Sequence, residues 1–332
     1  MATLSRGAIV FAVAATKRSN VRIDNRCIRL PCGTIINHTS KIIHNRRTFA
    51  SVKVILRVID WILFTSLFAA TCALSLCMAT ERLINDYIPY LFSPLHTLVF
   101  GSTLLVYNTH YILKKSTVQS SDLFRWAIKN KRWEFVFFII GVVMCIVSVC
   151  MLKWNILLCC GILGLLSFAY SIPLLPFKNK RRLRDFGWIK ILDLALVWTI
   201  VTSVLPILYW DKQLIDFPYE IALRFVFIFT LCIAFDIRDM QTDINAGIYT
   251  LPNIIGLKNC YRLMDITIAI FAILSIIQFT QFRHVERIVG ALLTAIFTKL
   301  IISYIRRHPS DRAYHGLVDG LMFMYAMLAL LH

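Results

Sequence analysis

Long apolar runs broken by short polar segments dominate the chain from about residue 55 to its end. A helix needs about 20 consecutive apolar residues to cross the hydrocarbon core, because lipid leaves unpaired backbone groups without partners. Nine runs meet that length, near 55–79, 91–113, 133–152, 154–174, 189–209, 219–240, 262–281, 284–305 and 315–331. The pattern predicts an all-α, polytopic transmembrane bundle of about nine helices. The last spans are separated by very few residues, which suits antiparallel hairpins.

Composition agrees. Of 332 residues, 58% are hydrophobic and 16% charged, and the mean hydropathy is +0.69; soluble domains are about 45–50% apolar and roughly 25% charged. The formal net charge of +18 raises the question of nucleic acid. The basic residues, however, lie in short connections between apolar runs, with no groove-reading motif, so no nucleic-acid partner is expected. Lys114, Lys115, Arg125, Lys129, Lys131 and Arg132 fill one connection. Lys178, Lys180, Arg181, Arg182, Arg184 and Lys190 fill another, and Arg238, Lys258, Arg262, Arg306, Arg307 and Arg312 follow the sixth and eighth runs. With nine spans these connections share one side, which the positive-inside rule makes the inner one, together with the N-terminus. The opposite connection 210–220 holds Asp211, Asp216 and Glu220 against Lys212.

Residues 1–54 read as a separate basic leader in which Asp24 is the only acid. Three origins fit it: a transit peptide, a disordered tail, or residues added by an upstream start. The first places the 55–332 domain in an organellar inner membrane, the others in a bacterial inner membrane. Most of the ten cysteines lie inside apolar runs and no CxxC pair occurs. They are read as small buried hydrophobes, and no zinc motif is expected.

Ionisable residues inside a span point to function or to an interface. Asp60 is placed near the interface, Asp193 beside a loop lysine, and Arg224 near the outer end of its span, where its guanidinium would snorkel to water. Asp236, Asp239 and Asp243 differ from these. At i, i+3 and i+7 they fall on one helix face, where they repel one another unless a cation compensates. Mg²⁺ takes carboxylate oxygens and bridges to phosphates. The competing reading is a solvated acidic helix end partly neutralised by Arg238.

The stretch "FDIRDMQTDINAGIYTLPNIIG" resembles the second aspartate-rich motif of the UbiA superfamily of intramembrane prenyltransferases, carried by Asp236, Asp239, Asp243, Gly247, Thr250, Leu251, Pro252 and Gly256. "AYSIPLLPFKNKRRLRDFGWIKILDLALVW" is similar to the family's tyrosine-serine-proline segment and basic loop. The resemblance covers roughly 55–331. It implies transfer of a prenyl group from an isoprenoid diphosphate to a lipophilic acceptor whose identity is open. It also implies Mg²⁺ on Asp236, Asp239 and Asp243, which are the expected catalytic and metal residues. Substrate contacts are expected from Asn108, Tyr170, Lys178, Arg181, Arg182 and Arg238. The first motif departs from the family. In "YNTHYILKKS" Asn108 fits, but Thr109, Ile112 and Ser116 stand at its three aspartate positions. His110 and Lys114, one turn apart, are candidates to contact phosphate directly. The rival to an enzyme is a catalytically silent relative that binds isoprenoid or scaffolds a membrane complex.

Overall fold

The computed structural model describes residues 58–85, 87, 90, 92–113, 126, 129–171, 187–245 and 247–330, the side chains of 110–113 and 168–171 excepted. Lys114, Lys178, Arg181 and Arg182 lie outside the described residues, as do the side chains of His110 and Tyr170 and the whole of the basic leader. All described residues belong to one compact unit, Ile55–His332.

Among the described residues the chain is helical without strands. After a helical turn at 58–64, the long helices are α1 (Leu67–Asn85) and α2 (Pro94–Leu113), then α3 (Lys131–Val149) and α4 (Trp154–Ser171). α5 (Trp188–Tyr209) and α6 (Pro218–Asn245) follow, and a short α7 (Leu251–Ile255) leads to α8 (Leu257–Phe282), α9 (Val285–Arg307) and α10 (Asp311–Leu330). The nine long helices correspond to the nine apolar runs. The first is displaced: the chain breaks at Thr65-Ser66 and α1 continues to Asn85 rather than stopping near 79. Six of them, α1, α3, α5, α8, α9 and α10, are long and apolar enough to cross a membrane. α6 carries Glu220, Arg224, Asp236, Arg238, Asp239 and Asp243, of which Glu220, Arg224 and Asp236 are buried.

α1 packs on α10 and α2, α2 on α3, and α6 on α5 and α8. One apolar core, including Leu76, Ile191, Leu231, Phe271 and Leu321, runs through α1, α5, α6, α8 and α10. Buried hydroxyls turn back onto their own helices: Ser148 donates to the Met144 carbonyl at 2.8 Å, Thr202 to that of Trp198 at 2.7 Å and Thr298 to that of Thr294 at 2.7 Å. Such bonds satisfy the hydroxyl without water, which hydrocarbon does not supply.

Close approach of α2 to α3 depends on two glycines. A Cβ on Gly141 would stand 2.8 Å from the Gly101 carbonyl oxygen and 2.9 Å from the Leu105 nitrogen, both backbone atoms that cannot rotate away. Small residues that let backbones meet are a usual basis of helix association in lipid.

Arg224 does not snorkel. Its side chain is 1% exposed and donates to Glu220 Oε1 at 2.7 Å and to Thr80 Oγ1 at 3.0 Å. Gln278 donates to Glu220 Oε2 at 3.0 Å. The reason is pairing: Glu220, one turn earlier on α6 and itself fully buried, supplies the counter-charge, so the guanidinium is held inside the bundle instead of reaching for water. Asp60 accepts two bonds from Arg312, at 2.6 and 2.9 Å.

Gly141→Ala is expected to force α2 and α3 apart and to lower the thermal midpoint in detergent, at a cost of about 1–3 kcal/mol. Gly161→Ala, whose Cβ would meet nothing within 4 Å, serves as the control and should leave the midpoint unchanged or raise it slightly.

Candidate functional site

The three aspartates lie on the last turns of α6, followed by a turn at Gly247 with φ +71°. Only glycine adopts that backbone readily. The turn lets the chain double back: Ile248 N donates to the Asp243 carbonyl at 2.9 Å, and Tyr249 passes over the start of α5. There a Cβ on Gly187 would stand 2.1 Å from the Tyr249 carbonyl oxygen, so Gly187 must also lack a side chain. Thr250 then opens α7, and Asn253 Nδ2 donates to its hydroxyl at 3.1 Å.

The aspartates do not stand as a bare acidic face. Lys190, in the first turn of α5, places its Nζ 2.9 Å from Asp236 Oδ1 and 3.0 Å from Asp243 Oδ2. One ammonium thus bridges the first and third carboxylates across two helical turns. Arg238 grips the second: Nε donates to Asp239 Oδ1 at 2.8 Å and Nη2 to Oδ2 at 3.0 Å. Bidentate forks of this kind are among the stronger charge-assisted bonds. Arg238 also lies over the Phe235 ring, 4.9 Å from its centroid.

The arginine carries the network to α10. Its Nη1 lies 2.8 Å from His315 Nε2, and His315 Nδ1 lies 3.1 Å from Asp319 Oδ2. Arginine only donates, so Nε2 accepts and the imidazole proton sits on Nδ1, facing Asp319. His315 occupies a π-helical turn, Tyr314–Val318. Such wide turns reset the register of a helix and recur at functional sites.

Burial grades the carboxylates. Asp236 is 2% exposed, and among the described residues its Oδ2 has no hydrogen-bond partner. Asp243 and Lys190 are mostly buried, and Asp239 is the most open of the three. An unpartnered, buried carboxylate oxygen beside two further carboxylates fits a hard divalent cation such as Mg²⁺.

Where the family would place its first motif, the described side chains are satisfied or silent. Thr109 donates to the Leu105 carbonyl at 2.7 Å, so its hydroxyl is spent on its own helix. Asn108 is fully buried; its Nδ2 donates to the Leu104 carbonyl at 2.7 Å, while its Oδ1 lacks a partner. The sequence reading missed Glu134. The Gly101–Gly141 contact makes α2 and α3 antiparallel neighbours, with Gly141 beside Leu105; two turns on, Glu134 comes level with Thr109 and Ile112. It is 2% exposed, and among the described residues both its carboxylate oxygens are unpartnered. Asp193 is also buried and forms no ion pair among the described residues. Lys190, the described lysine nearest to it in sequence, is engaged by Asp236 and Asp243.

The profile of the UbiA prenyltransferase family matches residues 130–327. The chain belongs to the UbiA prenyltransferase family. No curated protein matches it. Among solved structures it is similar to the apo form of a UbiA homologue from Aeropyrum pernix K1, at 14% identity and TM-score 0.60, covering 80% of this chain and 98% of that one. It is also similar to a UbiA homologue from Archaeoglobus fulgidus bound to GPP and Mg²⁺, at 14% identity and TM-score 0.51, covering 81% and 100%. A structure concerned with digeranylgeranylglyceryl phosphate synthase in membranes aligns at 12% identity and TM-score 0.52, covering 82% and 98%. At these identities the likeness establishes the fold. Together with the family match it makes this chain a prenyltransferase-type membrane protein.

Removing the bridging ammonium should be costly, because it leaves Asp236 and Asp243 buried without their counter-charge. Lys190→Met is expected to destabilise the domain by roughly 3 kcal/mol, read as a fall in the thermal midpoint. Adding Asp236→Asn to it should recover part of the loss. Equal midpoints for Lys190→Met and wild type would show that the bridge contributes nothing.

Proposed function

We propose that this UbiA-family protein transfers a prenyl group from an isoprenoid diphosphate to a lipophilic acceptor, with the diphosphate held at the Asp236, Asp239 and Asp243 end of α6. The observation that carries the reading is the unpartnered Asp236 Oδ2 beside the motif's other carboxylates, with Lys190 and Arg238 at hydrogen-bond distance from all three. The UbiA homologue from Archaeoglobus fulgidus bound to GPP and Mg²⁺ supports it, as does its form bound to DMAPP and Mg²⁺.

In this reading Asp236, Asp239 and Asp243 hold Mg²⁺. The ion supplies positive charge that stabilises the departing diphosphate. The chain's own cations share that task. Lys190 and Arg238 neutralise carboxylates in the absence of ligand, and each carries donors that suit phosphate oxygens. They stand in for part of the positive charge that a complete pair of aspartate motifs would hold as metal. Asn108, His110, Lys114, Tyr170, Lys178, Arg181 and Arg182 complete the proposed diphosphate contacts. The apolar core around Cys232, Ile233 and Leu231 keeps water from the allylic carbon while the carbon–oxygen bond breaks.

A second reading, a silent isoprenoid-binding or scaffold protein, is favoured by Thr109, whose hydroxyl is spent on Leu105. A thermal-shift experiment separates the two. Mg²⁺ binds weakly alone and needs ligand oxygens to fill its shell. Mg²⁺ and a prenyl diphosphate together should therefore raise the midpoint more than the sum of their separate shifts. Asp239→Asn should abolish that synergy, and Asp211→Asn, on the opposite face and largely exposed, should keep it. Absence of any Mg²⁺-dependent shift with donors of about ten to twenty carbons supports the silent reading.

A further inference from the structure

At the opposite end of the bundle from the aspartates, a second cluster of ionisable groups is buried where α1 ends and α2 begins. Cys77 and Glu81 stand one turn apart on α1, so their side chains share a face. His96 reaches the same place from the first turn of α2, its backbone NH held by the Ser93 hydroxyl at 3.1 Å. All three are essentially sealed, at 0%, 1% and 3% exposure. Their sulfur, carboxylate oxygen and imidazole nitrogen lie within 4.8 Å of one another.

We propose that Cys77, Glu81 and His96 form a binding site for a zinc-class divalent cation that fastens the end of α1 to the start of α2. The donor set is the first argument. Thiolate, imidazole and carboxylate together are the ligands zinc takes, and three protein ligands leave a fourth position of the tetrahedron for water. Zinc–ligand bonds of about 2.0–2.3 Å set donor atoms roughly 3.5 Å apart, so rotamer adjustments on the order of 1 Å close the site. Charge is the second argument. A thiolate, a carboxylate and a dication sum to zero with a neutral imidazole, so the loaded centre is neutral and its burial is inexpensive. Of the cations nearby, Arg224 is engaged by Glu220 and Arg287 Nη2 donates to the Ala79 carbonyl at 2.9 Å.

The third argument is how the ligands are held. Trp210 Nε1 donates to Glu81 Oε1 at 3.0 Å, which leaves Oε2 for the centre; outer contacts of this kind orient metal ligands. Oε2 lies 2.5 Å from His96 Nε2, so these two donor atoms already converge on one point. No CxxC motif announces this site, because its ligands are one of each kind and come from two helices.

The test uses the full-length protein in detergent, stripped with chelator and titrated with Co²⁺, whose spectrum reports tetrahedral thiolate coordination. One equivalent should bind with intense visible bands and a near-ultraviolet sulfur-to-cobalt band, and Zn²⁺ should displace it. Cys77→Ser should remove the sulfur band and weaken binding by more than about tenfold, a loss that changes outside the ligand shell already reach. Cys72→Ser, a buried cysteine on the same helix, should alter neither. Zn²⁺ should raise the thermal midpoint of wild type and not that of Cys77→Ser. A wild-type spectrum without the sulfur band, or one that survives Cys77→Ser, overturns the proposal whatever any variant does to folding.

Discussion

The ammonium of Lys190 sits between two carboxylates, and the motif end of the bundle is organised around it. Asp236 and Asp243 are two turns apart on one helix and largely shut off from water. Without a cation their repulsion would be weakly screened, and the end of α6 would have to turn outward. Lys190 comes from α5, so the contact that neutralises the pair also fastens α5 to α6. Arg238 does the same in the other direction. Through Asp239 on its own helix and His315 on α10 it ties a third helix to the motif. Apolar packing between helices in lipid is poorly directional. The polar ends set the register, with Glu220, Arg224, Thr80 and Gln278 doing so at the other face.

Much of this was legible in the sequence. The demand that a spanning segment satisfy its own backbone makes nine long helices readable as nine apolar runs, and the spacing of Asp236, Asp239 and Asp243 marks the helix on which the proposed site lies. What stayed hidden has physical reasons. Lys190 is the last of a run of basic loop residues, and nothing in the sequence distinguishes the one that turns inward. Glu134 looks like an ordinary acid in a first helical turn; its burial follows from the glycine contact between α2 and α3. His315 and Asp319 face the motif through a π-helical turn, which apolar periodicity does not reveal. Arg224 was misplaced because snorkelling is the default for a lone arginine, and its partner Glu220 read as part of an outer connection. Cys77 is a small buried residue of the apolar core, as its place in an apolar run suggests, and its meeting with Glu81 and His96 appears only after folding.

The missing first-motif aspartates and the two resident cations belong to one account. A site with two acidic halves needs metal to hold them together. In the proposed reading, a site with one acidic half and a lysine and arginine beside it has two of its three carboxylate charges offset by the protein itself, and it exchanges that counter-charge for ligand when a diphosphate arrives. That exchange is the central claim. It is tested most directly by a structure of the protein with Mn²⁺ and an unreactive prenyl thiodiphosphate, using anomalous scattering to locate the metal. The account predicts a metal peak against Asp236, Asp239 and Asp243, with Lys190 Nζ moved from the carboxylates onto a diphosphate oxygen. A metal-free motif with Lys190 still bridging Asp236 and Asp243, while the prenyl compound is bound elsewhere, would contradict it.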